Sequence, residues 1–102
     1  MYILSKGGCV VTFTMIPATL SYGGAEQRAA QTLDQCQELC KQASTCVEID
    51  FDQSPTANIR CFTHDTARPR SQAQGVNKYV KQQTGCGKSF YFLLNASLQK
   101  QQ

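Results

Sequence analysis

The stretch Thr32-Leu-Asp-Gln-Cys36-Gln-Glu-Leu-Cys40, followed after five residues by Cys46-Val-Glu-Ile-Asp-Phe51, carries the reading that decides the fold. Thr32 is a hydroxyl N-cap, and Gln35 at the third helical position completes a capping box. Asp34 adds a negative charge in the first turn, where the helix dipole favours it. Leu33, Cys36, Leu39, Cys40 and Ala43 recur at helical spacing, which predicts a helix opening at Thr32 with Leu33, Cys36, Leu39 and Cys40 on its buried face. Two thiols one turn apart on that face are placed to staple the helix to two different strands. From Cys46 the period changes to two. Val47, Ile49 and Phe51 alternate with Glu48, Asp50 and Asp52, as in a half-buried strand whose acidic face is solvated.

Working outward, residues 9–16 are rich in β-branched and aromatic types and stop at Pro17, which suits a first strand. Residues 17–31 read as a loop containing Tyr22-Gly23-Gly24, a pair of glycines that permits backbone angles other residues resist. Residues 52–58 contain Ser54-Pro55 and read as a turn, and residues 59–64 as the returning strand. A polar surface loop is expected at 66–75, around Arg68-Pro69-Arg70 and Gly75. Residues 76–81 and 89–94 are the last two strand candidates. The chain is expected to be one domain over residues 9–94, with residues 1–8 as an N-terminal extension and 95–102 as a polar tail.

Six cysteines in 102 residues, with an apolar fraction of 41% and no Trp, suggest a modest core that benefits from covalent support. An even count in a short chain reads as a disulfide framework in an oxidising compartment, so the expected location is secreted or extracellular. Zinc is the rival reading, but its ligands cluster in short C-x2-4-C and H-x3-5-H pairs, and with Cys36/Cys40 and Cys40/Cys46 as the only close pairs and a single His64 the sequence lacks such a set. Neither a metal nor a cofactor is expected. Residues 1–8 offer an apolar run of only four residues before Ser5 and Lys6, too short for a signal peptide. With the disulfide reading, that implies a mature chain or a domain of a longer secreted protein. Membrane insertion is not expected, because no apolar run is long enough to span.

The helix with Cys36 and Cys40, then Cys46-Val-Glu-Ile-Asp-Phe51, then Cys61-Phe62, with Cys9 far upstream and Cys86 far downstream, resembles the PAN/apple domain family. These motifs span residues 9–86. The resemblance implies an α+β fold: a small disulfide-rich domain with an antiparallel β-sheet of about five strands crossed by one α-helix. It also implies the pairings Cys36–Cys61, Cys40–Cys46 and Cys9–Cys86, whereas spacing alone leaves about 15 pairings open.

Candidate chemistry is sparse. Catalysis needs converging groups, and His64 beside Asp65 is the only imidazole; a strand-end surface histidine is the expected reading, and no enzymatic activity is expected. Glu48, Asp50 and Asp52 are possible calcium ligands, but alternating carboxylates on a straight strand do not wrap an ion without a supporting loop. Charge is distributed unevenly. Residues 1–65 hold all seven acids and four bases, a net −3, while residues 66–102 hold six bases and no acid, a net +6. Arg68, Arg70, Lys78 and Lys81 are therefore candidate contacts for a sulfated glycan or an acidic protein surface, set against an ordinary basic surface. Tyr22 and Tyr91 are candidate platforms for a sugar ring, while Phe13, Phe51, Phe62 and one of Phe90 and Phe92 are expected in the core. Asn95-Ala-Ser97 is an N-glycosylation acceptor pattern.

These readings converge on an extracellular binding module recognising a protein or a glycan, as PAN/apple domains generally do. The alternatives are a matrix or adhesion module acting by self-association, and a cationic secreted effector. Nucleic acid is not an expected partner.

Overall fold

A computed structural model describes residues 10–85 of the chain. Its elements are β1 (Val10–Ile16), β2 (Thr19–Leu20), β3 (Ala25–Glu26), α1 (Leu33–Gln42), β4 (Glu48–Asp52), β5 (Cys61–His64), β6 (Ser71–Gln72) and β7 (Val76–Thr84). Five strands form one sheet in the order β1-β7-β4-β5-β3, and β2 pairs with β6 in a separate two-stranded ribbon. The pairs β3–β5, β4–β5 and β4–β7 are antiparallel. With one helix among the described residues, this is a small α+β fold. Phe13–Lys81 form one compact unit, which contains every residue of the site described below; the outer ends of β1 and β7 belong to a second.

The helix begins where its cap dictates. The Gln35 amide donates to Thr32 Oγ1 at 3.2 Å, and Gln35 Oε1 accepts from the Thr32 amide at 3.2 Å, so the capping box is complete. Cys36 and Cys40 are fully buried, as the helical spacing predicts. Leu39 departs from the expectation. It is 41% exposed, in an open groove beside Ala29 and Ala30, because the two sulfurs rather than the leucines set which face turns inward.

Cys36 is bonded to Cys61 on β5, and Cys40 to Cys46, which precedes β4. The first bond ties the helix to a neighbouring strand, and the second closes the short turn between helix and strand. Under α1, the apolar face of the sheet presents Ile49, Phe51 and Cys61, with Phe13, Leu33 and Tyr79 packed around them. Burying a side chain such as Ile49 stabilises the fold by about 2 kcal/mol.

Several expectations are corrected. The loop expected at 17–31 contains β2 and β3, and the loop expected at 66–75 contains β6. These two-residue strands form through partners distant in the chain, such as Thr19 with Gln72 and Ala25 with Thr63, so no local pattern announces them. β7 continues to Thr84, past the expected end at Lys81. Among the described residues the fifth strand of the sheet is β3. The strand expected at 89–94, the Cys9–Cys86 pairing, Phe90, Tyr91, Phe92 and Asn95 lie outside the described residues.

Candidate functional site

Strand geometry sends alternate residues of β4 to opposite faces, and cross-strand partners share a face. Ile49 and Phe51 therefore point toward α1. Glu48, Asp50 and Asp52 point the other way, beside His64 and Phe62 of β5 and beside Val80, Lys78 and Val76 of β7. Glu26 of β3 joins this face opposite Phe62.

This second face is not solvated. Glu48 and Asp50 are buried, as is His64 at 2% exposure, and Lys78 is 0% exposed. The expected solvated acidic face and the expected surface histidine are both overturned. Their cover comes from the chain around Ser21: its amide donates to Asp50 Oδ2 at 2.9 Å, and its hydroxyl donates to the Arg68 carbonyl at 3.3 Å. The ribbon of β2 and β6 joins the two covering segments just outside these contacts.

Buried carboxylates require compensation, since a charge taken out of water without a partner is strongly unfavourable. Lys78 supplies it. Its Nζ donates to Glu48 Oε2 at 3.1 Å and lies 2.9 Å from Asp50 Oδ1 as a charge contact. His64 Nε2 is 2.8 Å from Asp50 Oδ2, the oxygen that also accepts from Ser21. One carboxylate thus joins β4, β5, β7 and the segment that covers them.

Beside this cluster a cleft of about 320 Å³ opens. The strands contribute Glu26, Asp50, Asp52, Phe62 and Val76, and the covering segment contributes Leu20 to Gly24. Gly24 is pressed so close to the sheet that a Cβ there would stand 2.8 Å from His64 Cε1 and 3.1 Å from Phe62 Cβ. Tyr22 is 75% exposed, a free aromatic face beside the opening. Gly23 has φ of +88°, and the Arg68 guanidinium lies against it: a Cβ on Gly23 would be 3.2 Å from Nη1.

The residues expected to bind an anion do not gather. Lys78 is withdrawn into the ionic cluster, which corrects its reading as a surface contact. Lys81 donates through Nζ to the carbonyls of Cys40 and Ala43, at 2.8 and 3.2 Å, and so caps the C-terminal end of α1. Desolvation holds its pKa below the ordinary lysine value. Arg68 and Arg70 remain exposed and are not among the residues that line the cleft, whereas Tyr22 is.

Ser21 Oγ is committed to the Arg68 carbonyl rather than to His64, so the neighbouring Ser21, His64 and Asp50 do not form a nucleophile–base relay. Among the described residues, no group of His, Cys, Asp and Glu side chains is arranged to hold a metal ion. Nor, among them, is any helix long and apolar enough to cross a membrane.

Sequence reasoning missed Glu48, Asp50, His64 and Lys78 as one unit. The signal was present in β7, where Lys78 occupies the inward register between Val76 and Val80; a lysine in an apolar alternation needs a buried counter-charge. Comparisons with family models, with curated proteins and with solved structures each return no match to this chain.

Proposed function

We propose that the chain is a non-catalytic, extracellular binding module of PAN/apple type that recognises a protein or a carbohydrate through the cleft beside Asp50. The observation that carries this reading is the cleft's mixed lining, in which Tyr22 and Phe62 stand with three carboxylates around a space large enough for a sugar ring or a peptide side chain. Aromatic faces supply stacking area, and carboxylate oxygens fix orientation by accepting hydrogen bonds. The disulfides hold α1 against β5 and close the turn into β4, giving the cleft a rigid floor, and their presence supports a secreted location.

Screening glycans together with basic, neutral and acidic peptides, and then mapping each ligand by amide NMR, tests the reading. The expected footprint covers Ser21 to Gly24 and Phe62. A footprint confined to α1, or none for any ligand, would overturn it.

A further inference from the structure

Building on the cleft as the recognition site, we propose that the group it takes is a cation on an unbranched apolar stem, as a lysine or arginine side chain of a protein partner carries, and that Asp52 pairs with it. The three carboxylates lining the cleft are not equivalent. Asp50 is held by Lys78, His64 and the Ser21 amide. Glu26 is paired with Arg28 at 3.3 Å. Asp52 accepts one hydrogen bond on Oδ1 from the Ser54 amide, at 2.9 Å, and has no cation within ion-pair distance among the described residues. It is half-buried, so charge placed there is less screened than on the open surface.

The surroundings of Asp52 fit a stem as well as a charge. Val76 is its direct cross-strand partner, and Phe62 lies on the same face one pair along. A methylene chain running over Val76 and Phe62 would bring its terminal cation to Asp52, with Tyr22 offering a further aromatic face. No basic side chain lines the cleft. A sulfated or carboxylated ligand would meet carboxylates there, so the anionic ligand expected from the basic C-terminal third is disfavoured at this site.

Two arginines bear on the charge balance. The guanidinium of Arg60 donates to the Asp52 carbonyl at 3.3 Å, and that of Arg68 rests against Gly23. Arg60 is close enough to repel an incoming cation, which makes it a sensitive probe.

The test is a titration of isotope-labelled protein, disulfides intact, with Nα-acetyl-lysine methylamide, its Nε-acetylated counterpart, a neutral methyl glycoside and a sulfated disaccharide. The expected result is that the free amine shifts the amides of Ser21 to Gly24 and Phe62 more than its acetylated counterpart does. Asp52→Asn, which keeps Oδ1 for the Ser54 amide, should weaken binding about tenfold, the size of one charge-assisted hydrogen bond. Arg60→Gln should strengthen it by about twofold or more. Equal shifts from the acetylated form, an unchanged affinity in Asp52→Asn, or cleft binding by the glycoside or the sulfated sugar alone would overturn the charge assignment and leave the cleft as the recognition site. Cleft amides unmoved by all four probes would overturn both.

Discussion

Lys78 Nζ lies 2.9 Å from Asp50 Oδ1, with the lysine side chain fully buried and the aspartate 2% exposed. The pair places a lysine, the residue type most suited to a surface, at the centre of the sheet, and it does so because Asp50 and Glu48 sit on the same buried face of β4. Removing the lysine leaves two carboxylates in a low-dielectric site.

Lys78→Met is therefore expected to cost about 3–5 kcal/mol, the usual penalty for orphaning a buried charge. Urea unfolding with the disulfides intact measures it. Adding Glu48→Gln and Asp50→Asn to Lys78→Met should recover part of the loss, because the charges that needed Lys78 are then gone. A loss of under about 1 kcal/mol for Lys78→Met, comparable to an exposed pair, would show that the cluster is solvated in solution.

Gly24 and Gly75 make a matched comparison. A Cβ at Gly24 would intrude on His64 and Phe62 at 2.8–3.1 Å, whereas one at Gly75 meets nothing within 4 Å but must adopt φ of +83°. Gly75→Ala should cost about 1 kcal/mol from backbone strain alone. Gly24→Ala should cost about 1–3 kcal/mol through overpacking, and should also move the His64 ring resonances as the imidazole is pushed off Asp50. Unshifted His64 resonances in Gly24→Ala would contradict the close approach.

The two disulfides among the described residues close loops of different length, with sequence separations of 25 for Cys36–Cys61 and 6 for Cys40–Cys46. In the chain-entropy account, removing the first by paired Cys→Ala substitution should cost about 3–4 kcal/mol and removing the second about 2 kcal/mol. Thermal unfolding of the two double variants gives the order. A reversed order would mean that clasping the turn into β4 matters more than tying α1 to β5.

Lys81 joins β7 to the end of α1 through the carbonyls of Cys40 and Ala43. Lys81→Met should cost about 1 kcal/mol and speed amide exchange in the last turn of α1. Desolvation lowers the Lys81 pKa in the folded protein, so below the ordinary value of 10.5 the unfolded chain holds the proton more firmly. The unfolded state then binds more protons, and the Lys81 contribution to stability rises with pH across that window. The difference between the parent protein and Lys81→Met should accordingly widen between neutral pH and pH 10; a constant difference would remove the desolvation argument.

How far the sequence could be read differs from one element to the next. The Thr32–Gln35 capping box and the inward turn of Cys36 and Cys40 were legible because each depends on residues within four positions. β4 was legible as a strand from its period of two, but the fate of its acidic face was not. An alternating Glu48-Ile-Asp50-Phe-Asp52 is compatible with a solvated face or with a paired one, and the choice lies in segments far along the chain. The cleft was only partly visible: Tyr22 and the glycines beside it stood out, but Asp52, Phe62 and Val76 gave no sign of converging with them. Charge counting pointed to a basic surface in the last third, and it overcounted, because Lys78 is spent inside the fold and Lys81 on a helix end.

By itself, then, the sequence determined the helix, its cap and the strand that follows, all of them consequences of local backbone preference and spacing, while the even cysteine count pointed to disulfides without fixing their pairing. The tertiary structure alone decided that β4 is covered on both faces, with a sulfur-rich apolar core under α1 and an ionic cluster under the Ser21 segment. The physical reason is that burial is a property of what packs above a residue. Here the cover arrives through a two-residue ribbon joining Thr19 to Gln72 and a single amide at Ser21, contacts too short to leave a periodic trace in the chain.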